Sequence, residues 1–137
     1  MNPKWDCGSA SYYFRLTEIN YENVKSKLKA KLKEENPPKV TISTNRWTQH
    51  HDAFLGINGH YIDANWVQKK ITLACSVFNT EHTGINIWKQ IDEVLVDWDL
   101  LSKVFEALRD NARNMVKSFE EGKKSILLDT SFIAYNW

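Results

Sequence analysis

The sequence has few of the residues that define specialised protein classes. It contains only two cysteines, Cys7 and Cys75, which lie far apart and have no partners at metal-ligand spacing. This argues against the disulfide framework of a small secreted protein, and it predicts that Cys75 is a small buried residue in a strand. Glycine and proline number five and three, and there is no internal repeat or low-complexity stretch.

Long apolar runs and an excess of one charge are also missing. No apolar run approaches the roughly 18 residues of a membrane span, and residues 1–6 lack the apolar region of a signal peptide. Eighteen basic residues stand against 17 acidic ones, which gives a formal net charge of +1. Because this balance creates no global attraction to nucleic acid or membrane, any such contact depends on local patches. We expect an intracellular protein.

What the sequence does contain is the composition of one globular domain. Its 137 residues are 42% apolar and 12% aromatic, enough for a substantial core.

Residues 1–16 show no periodic spacing of apolar residues and are predicted to be a loosely held lead-in. From Thr17 to Glu35 apolar residues recur every three or four positions, which predicts a helix ended by residues 36–38 (NPP). Its apolar stripe is Tyr21, Val24, Leu28 and Leu32, and its other faces carry Lys25, Lys27, Lys29, Lys31 and Lys33.

In the rest of the sequence, segments in which apolar residues recur every two positions alternate with segments in which they recur every three or four. Strands are predicted near residues 40–47, 54–62, 67–78 and 103–109, the first three as antiparallel neighbours. The third has Ile71, Leu73, Cys75 and Val77 on one face. A helix capped by Thr83 precedes the fourth strand, and a second helix, ended by Gly122, follows it. The buried stripe of the first is Ile85, Trp88, Ile91, Leu95 and Trp98, and that of the second is Ala112, Met115, Val116 and Phe119. Periodicity alone fits an α/β and an α+β fold equally well.

Four short motifs distinguish between these folds. They are residues 40–48 (VTISTNRWT), residues 59–63 (GHYID) followed by Trp66, residues 81–84 (EHTG) and residues 109–115 (RDNARNM). In this order and spacing they resemble the signatures of hAT-family transposases and of the zinc-finger BED domain-containing proteins derived from them. The resemblance implies an α/β fold with an RNase H-like mixed sheet: three antiparallel strands, a helix, a strand and a helix. It also implies a nuclear protein.

The resemblance carries a catalytic expectation as well. The family cuts DNA with two divalent ions, Mg²⁺ or Mn²⁺, held by two aspartates and a glutamate, because paired carboxylates can clamp both reacting oxygens. Asp110 matches the second acid and would be the metal ligand, whereas Asn45 replaces the first. The glutamate, the BED zinc finger and the dimerisation region have no counterpart in this sequence. We therefore expect an incomplete core, no bound cofactor and no catalysis.

The domain organisation follows from these motifs. We predict a lead-in and basic amphipathic helix over residues 1–38, a partial RNase H-like domain over 39–122, and a divergent C-terminal tail over 123–137. The tail contains a short strand-like run at residues 126–128 (ILL). Loss of the rest of the core predicts an exposed apolar face or sheet edge, covered by self-association or by the tail.

Several of these residues have simpler structural interpretations. Asp110 precedes a helix and is favoured as an ordinary capping residue over a metal ligand. Trp47 and Trp66 are favoured as core or hairpin packing over platforms for nucleic-acid bases. His50, His51 and His60 are interpreted as solvated loop residues. His82 resembles a histidine near the family's active site, and support of the next helix is an equally good interpretation.

These observations leave three functional hypotheses. The first is an inactive transposase-derived fragment with weak, sequence-independent DNA affinity through Arg46, Lys25, Lys29 and Lys33. The second is an interaction module that binds a related transposase or a second copy of itself through a sheet edge. The third, an active nuclease, is disfavoured by Asn45. A decaying transposon remnant without function is compatible with the same sequence.

Overall fold

The structure is a computed structural model that describes residues 8–78, 80–110, 112–124 and 133–136, of which 123–124 and 133–136 are described by their backbone alone. The chain divides into two compact units, Met1–Asn36 and Pro37–Trp137. In the described ranges no helix is both long enough and apolar enough to cross a membrane.

From residue 8 onward, where the structure describes it, the first unit forms one helix, α1 (Ala10–Glu35). The Ser9 hydroxyl oxygen accepts a hydrogen bond from the Tyr12 backbone N–H at 3.2 Å, which satisfies one of the unpaired donors at the helix start. Asn36 ends the helix in the left-handed conformation (φ 41°), and its N–H donates to the Leu32 carbonyl. The predicted stop at residues 36–38 is confirmed.

The helix begins seven residues before the predicted start at Thr17. The lead-in prediction is therefore wrong for residues 10–16, while residues 1–7 lie outside the described part. Tyr12, Tyr13 and Phe14 are consecutive and all at least half exposed, so they point to different sides and produce no visible period. The predicted stripe is only partly correct, because Tyr21 and Val24 are both 56% exposed whereas Leu32 is buried.

The described residues of the second unit form a five-stranded mixed sheet and two helices. The strands follow the order β3-β2-β1-β4-β5, in which β1 pairs antiparallel with β2 and parallel with β4. β2 pairs antiparallel with β3, and β4 pairs parallel with β5. The elements are β1 (Val40–Gln49), β2 (Asp52–Ile62), β3 (Gln68–Val77), α2 (Gly84–Asp97), β4 (Val104–Arg109), α3 (Arg113–Lys124) and β5 (Ile133–Asn136).

This arrangement confirms the predicted α/β class, the four predicted strands and the antiparallel pairing of the first three. The order of three antiparallel strands, a helix, a parallel strand and a helix is the one that the motifs implied. A fifth strand, β5, lies in the tail and extends the sheet beside β4. The predicted run at residues 126–128 lies outside the described residues.

The core lies between one face of the sheet and the two helices α2 and α3. In β1, Val40, Ile42 and Thr44 are buried and alternate with partly exposed residues, as predicted. The Thr44 hydroxyl donates to Met115 Sδ of α3 at 3.7 Å, and the Trp98 indole N–H after α2 donates to the Leu73 carbonyl at 3.0 Å. These bonds attach both helices to the same face. We call the opposite face of the sheet the open face.

A bulge in β3 explains why the prediction for Cys75 is wrong. The pairing of β2 with β3 shifts between Ile57 and Asn58, so that one extra residue is present in β3 near Leu73. Because side chains alternate strictly along a strand, one extra residue exchanges the two faces beyond it. Ile71 and Leu73 are buried as predicted, but Cys75 and Val77 are exposed.

The two helices approach each other more closely than ordinary side chains allow. The Trp88 ring packs edge-on against Phe119, with ring centroids 5.6 Å apart, and a Cβ added to Gly122 would lie 2.7 Å from the Trp88 ring. Gly122 is therefore a packing residue inside α3, which continues to Lys124, and the prediction that it ends the helix is wrong.

The predicted buried stripes are correct for most positions of α2 and α3. Ile85 is 65% exposed, and Ile87 is buried in its place. The stripe runs back from Trp88 to Gly84, four residues earlier, which leaves Ile85 on the solvent side. In α3, Met115 and Phe119 are buried, Val116 is half-buried and Ala112 is exposed.

A substitution at Gly84 tests this helix packing. A Cβ at Gly84 would lie 2.8 Å from Lys117 Cβ and 3.0 Å from the backbone of α3, so one helix must shift. We expect Gly84→Ala to lower the free energy of unfolding by about 1–3 kcal/mol, measured by urea denaturation. Gly59→Ala is the matched control, because its Cβ would make only ordinary contacts at 3.5–3.6 Å. Equal stability of the two variants would contradict the close approach.

Candidate functional site

The register of β1 and β4 brings the two signature positions together. Thr44 pairs with Arg109 in this parallel ladder, so Asn45, within β1, and Asp110, directly after β4, are the next residues of neighbouring segments. Thr44 and Arg109 are buried on the helix side. Side chains alternate along a strand, and the positions of Asn45 and Asp110 therefore belong to the open face. Asn45 is exposed and Asp110 is half-buried.

The surroundings of Asn45 depend on a glycine in the neighbouring strand. Gly56 is the cross-strand partner of Asn45. A Cβ at Gly56 would lie 2.6 Å from Asn45 Oδ1 and 3.2 Å from the Trp47 ring. The Asn45 amide can occupy this position because Gly56 has no side chain that would clash with it.

Asp110 is engaged in a local hydrogen bond. Its Oδ1 atom accepts from the Ala112 N–H at 3.0 Å, and the Ala112 carbonyl in turn accepts from the Val116 N–H at the start of α3. The carboxylate therefore stabilises the turn that leads into the helix. The N-cap prediction is therefore wrong in position, because Ala112 directly precedes the helix and Asp110 forms an Asx-type turn two residues earlier.

The donors at this end of the sheet do not fit a pair of divalent ions. Such a site needs several anionic oxygen ligands, and here Asn45 supplies a neutral amide while one oxygen of Asp110 is held by the backbone. Among the residues that the structure describes, no group of three or more histidine, cysteine, aspartate or glutamate residues could hold a metal ion. His50 and His51 are exposed in the β1–β2 turn, His50 in the left-handed conformation.

The other signature residues join α2 to α3. Asn114 Nδ2 donates to the His82 carbonyl oxygen at 2.6 Å, and the Thr83 hydroxyl oxygen accepts from the Asn86 N–H to cap α2. Thr83 is the predicted cap. The exposed ring of His82 lies beside Phe78, with centroids 5.4 Å apart. Together with Gly84, these contacts give the two motifs a packing role.

A row of polar side chains on the open face was not identified from the sequence. The Thr41 hydroxyl donates to Glu106 Oε2 at 3.2 Å, and Ser43 Oγ lies 2.9 Å from His60 Nε2. Burial, with the nearby charge of Lys70, lowers the pKa of His60 and favours its neutral form. His60 lies in β2, so the loop interpretation is wrong. Polar residues at every second position of β1 were the available signal, because they mark a face without an apolar cover.

The two signature tryptophans have different environments. Trp47 stacks on Phe54 across the hairpin, with centroids 5.4 Å apart and an interplanar angle of 13°, which agrees with the packing interpretation. Trp66 is 87% exposed in the β2–β3 connection, so the packing interpretation is wrong there. Hydrogen bonds to Asp63 hold this turn. Because these bonds do not depend on burial, a pattern of apolar residues does not predict them.

Trp66 borders a cavity of about 450 Å³ on the open face. The cavity lies where β1 begins and β2 ends, whereas Asn45 and Asp110 lie toward the opposite ends of their strands. Aromatic, apolar and polar side chains surround it: Lys39, Thr41, His60, Tyr61, Ile62, Trp66, Gln68 and Phe105. The Lys39 ammonium lies 4.9 Å from the centroid of the Phe105 ring, a cation–π contact.

The predicted nucleic-acid-binding cations belong to two units. Lys25, Lys29 and Lys33 follow one another at intervals of four in α1 and therefore lie along one side of that helix. The Lys25 ammonium lies 5.7 Å from the Tyr21 ring centroid. Arg46 lies in β1 of the second unit and is half-buried, and in the described part of the chain its Nη1 atom is buried without a hydrogen-bond partner.

Strand order, pairing direction and signature positions together define an RNase-like α/β domain. Comparison with known families agrees: residues 43–134 match the ZBED1 RNase-like domain. The chain belongs to this family. The transposase-derived origin that the motifs implied is thereby confirmed.

Individual relatives are distant. The chain is 26% identical over 117 residues to tpeD of Talaromyces stipitatus, a protein that carries the provisional name of transcriptional regulator; the match covers 82% of this chain and 14% of tpeD. Two structures of the magnesium-bound HTLV-2 integrase catalytic core domain, dimeric and trimeric, are 14% and 13% identical with TM-scores of 0.37 and 0.38. They align with 73% and 74% of this chain and 61% and 60% of theirs. These scores are too low to carry an argument, and the fold assignment rests on the sheet topology and the family.

A substitution at Asn114 tests the packing role of the signature residues. Asn114→Ala removes the hydrogen bond to the His82 carbonyl, and we expect the free energy of unfolding to fall by about 0.5–1.5 kcal/mol. Arg113→Ala, one residue earlier on an exposed position of α3, serves as the control. Urea denaturation measures both variants. Indistinguishable midpoints would show that the bond contributes nothing to stability.

Proposed function

We propose that this chain is a catalytically inactive, transposase-derived domain that retains weak, sequence-independent affinity for DNA in the nucleus. The observation that supports the loss of activity is that Asn45 and Asp110 directly follow Thr44 and Arg109, which pair across β1 and β4. The location rests on the family and on the name of tpeD.

The argument against catalysis is electrostatic. Cleavage of a phosphodiester with two metal ions requires carboxylates that neutralise both cations and fix their separation. An amide oxygen at Asn45 adds no negative charge, and one oxygen of Asp110 is already held by the Ala112 N–H. The missing charge removes several kcal/mol of the stabilisation on which such chemistry depends.

A nicking assay tests this proposal. Supercoiled plasmid is incubated with the purified chain in Mg²⁺ or Mn²⁺, and open-circular product is quantified on gels. We expect no product above the protein-free control, and none from Asn45→Asp, because one restored carboxylate beside Asp110 still leaves too few ligands. Metal-dependent nicking by the unmodified chain, abolished in Asp110→Ala, would overturn the proposal.

The argument for DNA affinity is the placement of positive charge. Lys25, Lys29 and Lys33 present ammonium groups along one side of α1, where they can follow a line of phosphates. Arg46 is half-buried in the second unit, and the part of its guanidinium group other than the buried Nη1 atom would make the phosphate contact. With a net charge of +1, the affinity must be weak.

Fluorescence anisotropy of a labelled generic duplex measures this affinity across salt concentrations. We expect the logarithm of the association constant to fall linearly with the logarithm of salt concentration, because bound cations displace counterions from the phosphates. Replacing Lys25, Lys29 and Lys33 together by glutamine should reduce the slope by about 0.9 for each phosphate that no longer pairs with a lysine. Arg46→Gln tests the second unit separately.

Lys27 and Lys31 provide the matched control for this experiment. They lie on a different side of α1, and Lys31 is 3.8 Å from Glu35. Their double replacement by glutamine should change the slope less per charge removed. A folded chain that does not bind duplex at low salt would contradict the proposal.

That outcome would favour the second candidate, a protein-interaction module that binds a related transposase or a second copy. The observation in its favour is β3, a ten-residue strand that pairs only with β2 in the described sheet. Its free edge can accept another strand, and Cys75 and Val77 are exposed beside it. A functionless remnant is expected to show neither interaction.

A further inference from the structure

We propose that the cavity on the open face of the sheet binds a single unpaired nucleotide of a nucleic-acid strand, with its base stacked on Trp66 and its phosphate paired with Lys39. The inference deepens the proposed nucleic-acid affinity: it assigns a single-stranded ligand to residues that the duplex contact does not use.

The first step of the argument is the exposure of Trp66. A tryptophan that is 87% exposed gains little from burial, and this one also adopts the left-handed conformation at φ 63°, which bulky residues rarely take. Neither packing nor backbone preference accounts for such a residue. Residues in sparsely populated backbone conformations cluster at active sites and ligand contacts, and Trp66 adopts one beside a cavity.

The second step is the rigidity of the turn that holds the ring. Asp63 Oδ1 accepts hydrogen bonds from the Asn65 and Val67 N–H groups, both at 2.9 Å, and the Trp66 N–H donates to the Asp63 carbonyl at 3.0 Å. Lys69 lies 3.3 Å from the other oxygen of Asp63. These bonds, led by the one from Val67, lower the pKa of Asp63 and keep it charged at neutral pH. The backbone that carries the tryptophan is therefore fixed by the turn.

The third step is the chemistry of the cavity. Its volume of about 450 Å³ lies within the roughly 300–1,000 Å³ of small-ligand sites. Trp66 offers a face on which any base can stack, Lys39 offers a positive charge beside the Phe105 ring, and the Gln68 amide can both donate and accept. Aromatic surface, one cation and an amide are complementary to a base with one phosphate.

A carboxylate near the cavity further restricts which kind of nucleic acid can bind there. Glu106 accepts a bond from Thr41, whose side chain borders the cavity, so a carboxylate lies close to it. The lowered pKa of His60, at the cavity wall, favours the uncharged form of its ring. Lys39 is the cation among the residues that line the cavity, so the cavity can pair with the phosphate of one nucleotide. Stacking on Trp66 needs a base whose face is exposed, which a duplex does not offer. The arrangement favours an unpaired residue of a strand over a duplex.

The test uses the full chain and labelled oligothymidylate and oligouridylate of about six residues, which covers the footprint of one such site. We expect both strands to bind in fluorescence anisotropy, and Trp66→Ala to weaken binding by about 5- to 100-fold, since stacking of one base is worth that factor. Trp66→Phe should retain part of the affinity, and Lys39→Gln should weaken it. Lys89→Gln, an exposed lysine of α2, is the charge-matched control and should leave it unchanged.

The outcomes separate this inference from the proposed function. Unchanged affinity of Trp66→Ala for both strands, in a chain whose circular dichroism matches the unmodified protein, would overturn the cavity assignment even if duplex still binds. Weakened single-strand binding without any duplex binding would support the cavity and contradict the lysine contact. Competition by thymidine monophosphate would identify a free nucleotide as a sufficient ligand.

Discussion

The parallel pairing of β1 with β4 is the constraint on which the rest of the second unit depends. Parallel neighbours require a crossover, and here β2, β3 and α2 lie between the two strands in sequence. Once Thr44 is paired with Arg109, β4 ends beside the middle of β1, and α3 begins four residues later. The same register places Met115 under Thr44 and brings Asn114 to the start of α2. The signature segments therefore meet because the sheet positions them, and their contacts then hold the helices in place.

Much of this arrangement can be predicted from the chain itself, for physical reasons. Residues 40–44 alternate between buried and partly exposed because one face of β1 meets the helices, and a period of two records that asymmetry directly. Thr83 was predictable as a cap because a hydroxyl at that position satisfies a backbone donor locally. The placement of Asn45 and Asp110 on neighbouring segments needed more than periodicity, and the family signatures supplied it.

The wrong predictions have equally physical causes. The bulge near Leu73 depends on how two strands meet, and no single strand encodes it, so Cys75 was assigned to the wrong face. A glycine such as Gly122 usually indicates the end of a helix, but here the absence of a side chain makes room for the Trp88 ring of α2. Trp66 is large and apolar, which predicts burial, but hydrogen bonds to Asp63 fix it in the exposed turn. In each case an interaction between distant or polar groups overrode a local preference.

The close contact of Asn45 with Gly56 has a consequence for the history of the chain. Asparagine and aspartate have nearly the same shape, so the space above Gly56 accepts either, and the exchange leaves the strand pairing intact. The amide also avoids placing a second carboxylate beside Asp110, where two negative charges would repel each other. Folding stability alone would therefore favour the asparagine over the acid at this position. Purifying selection for a stable domain would then preserve this scaffold without acting on its chemistry.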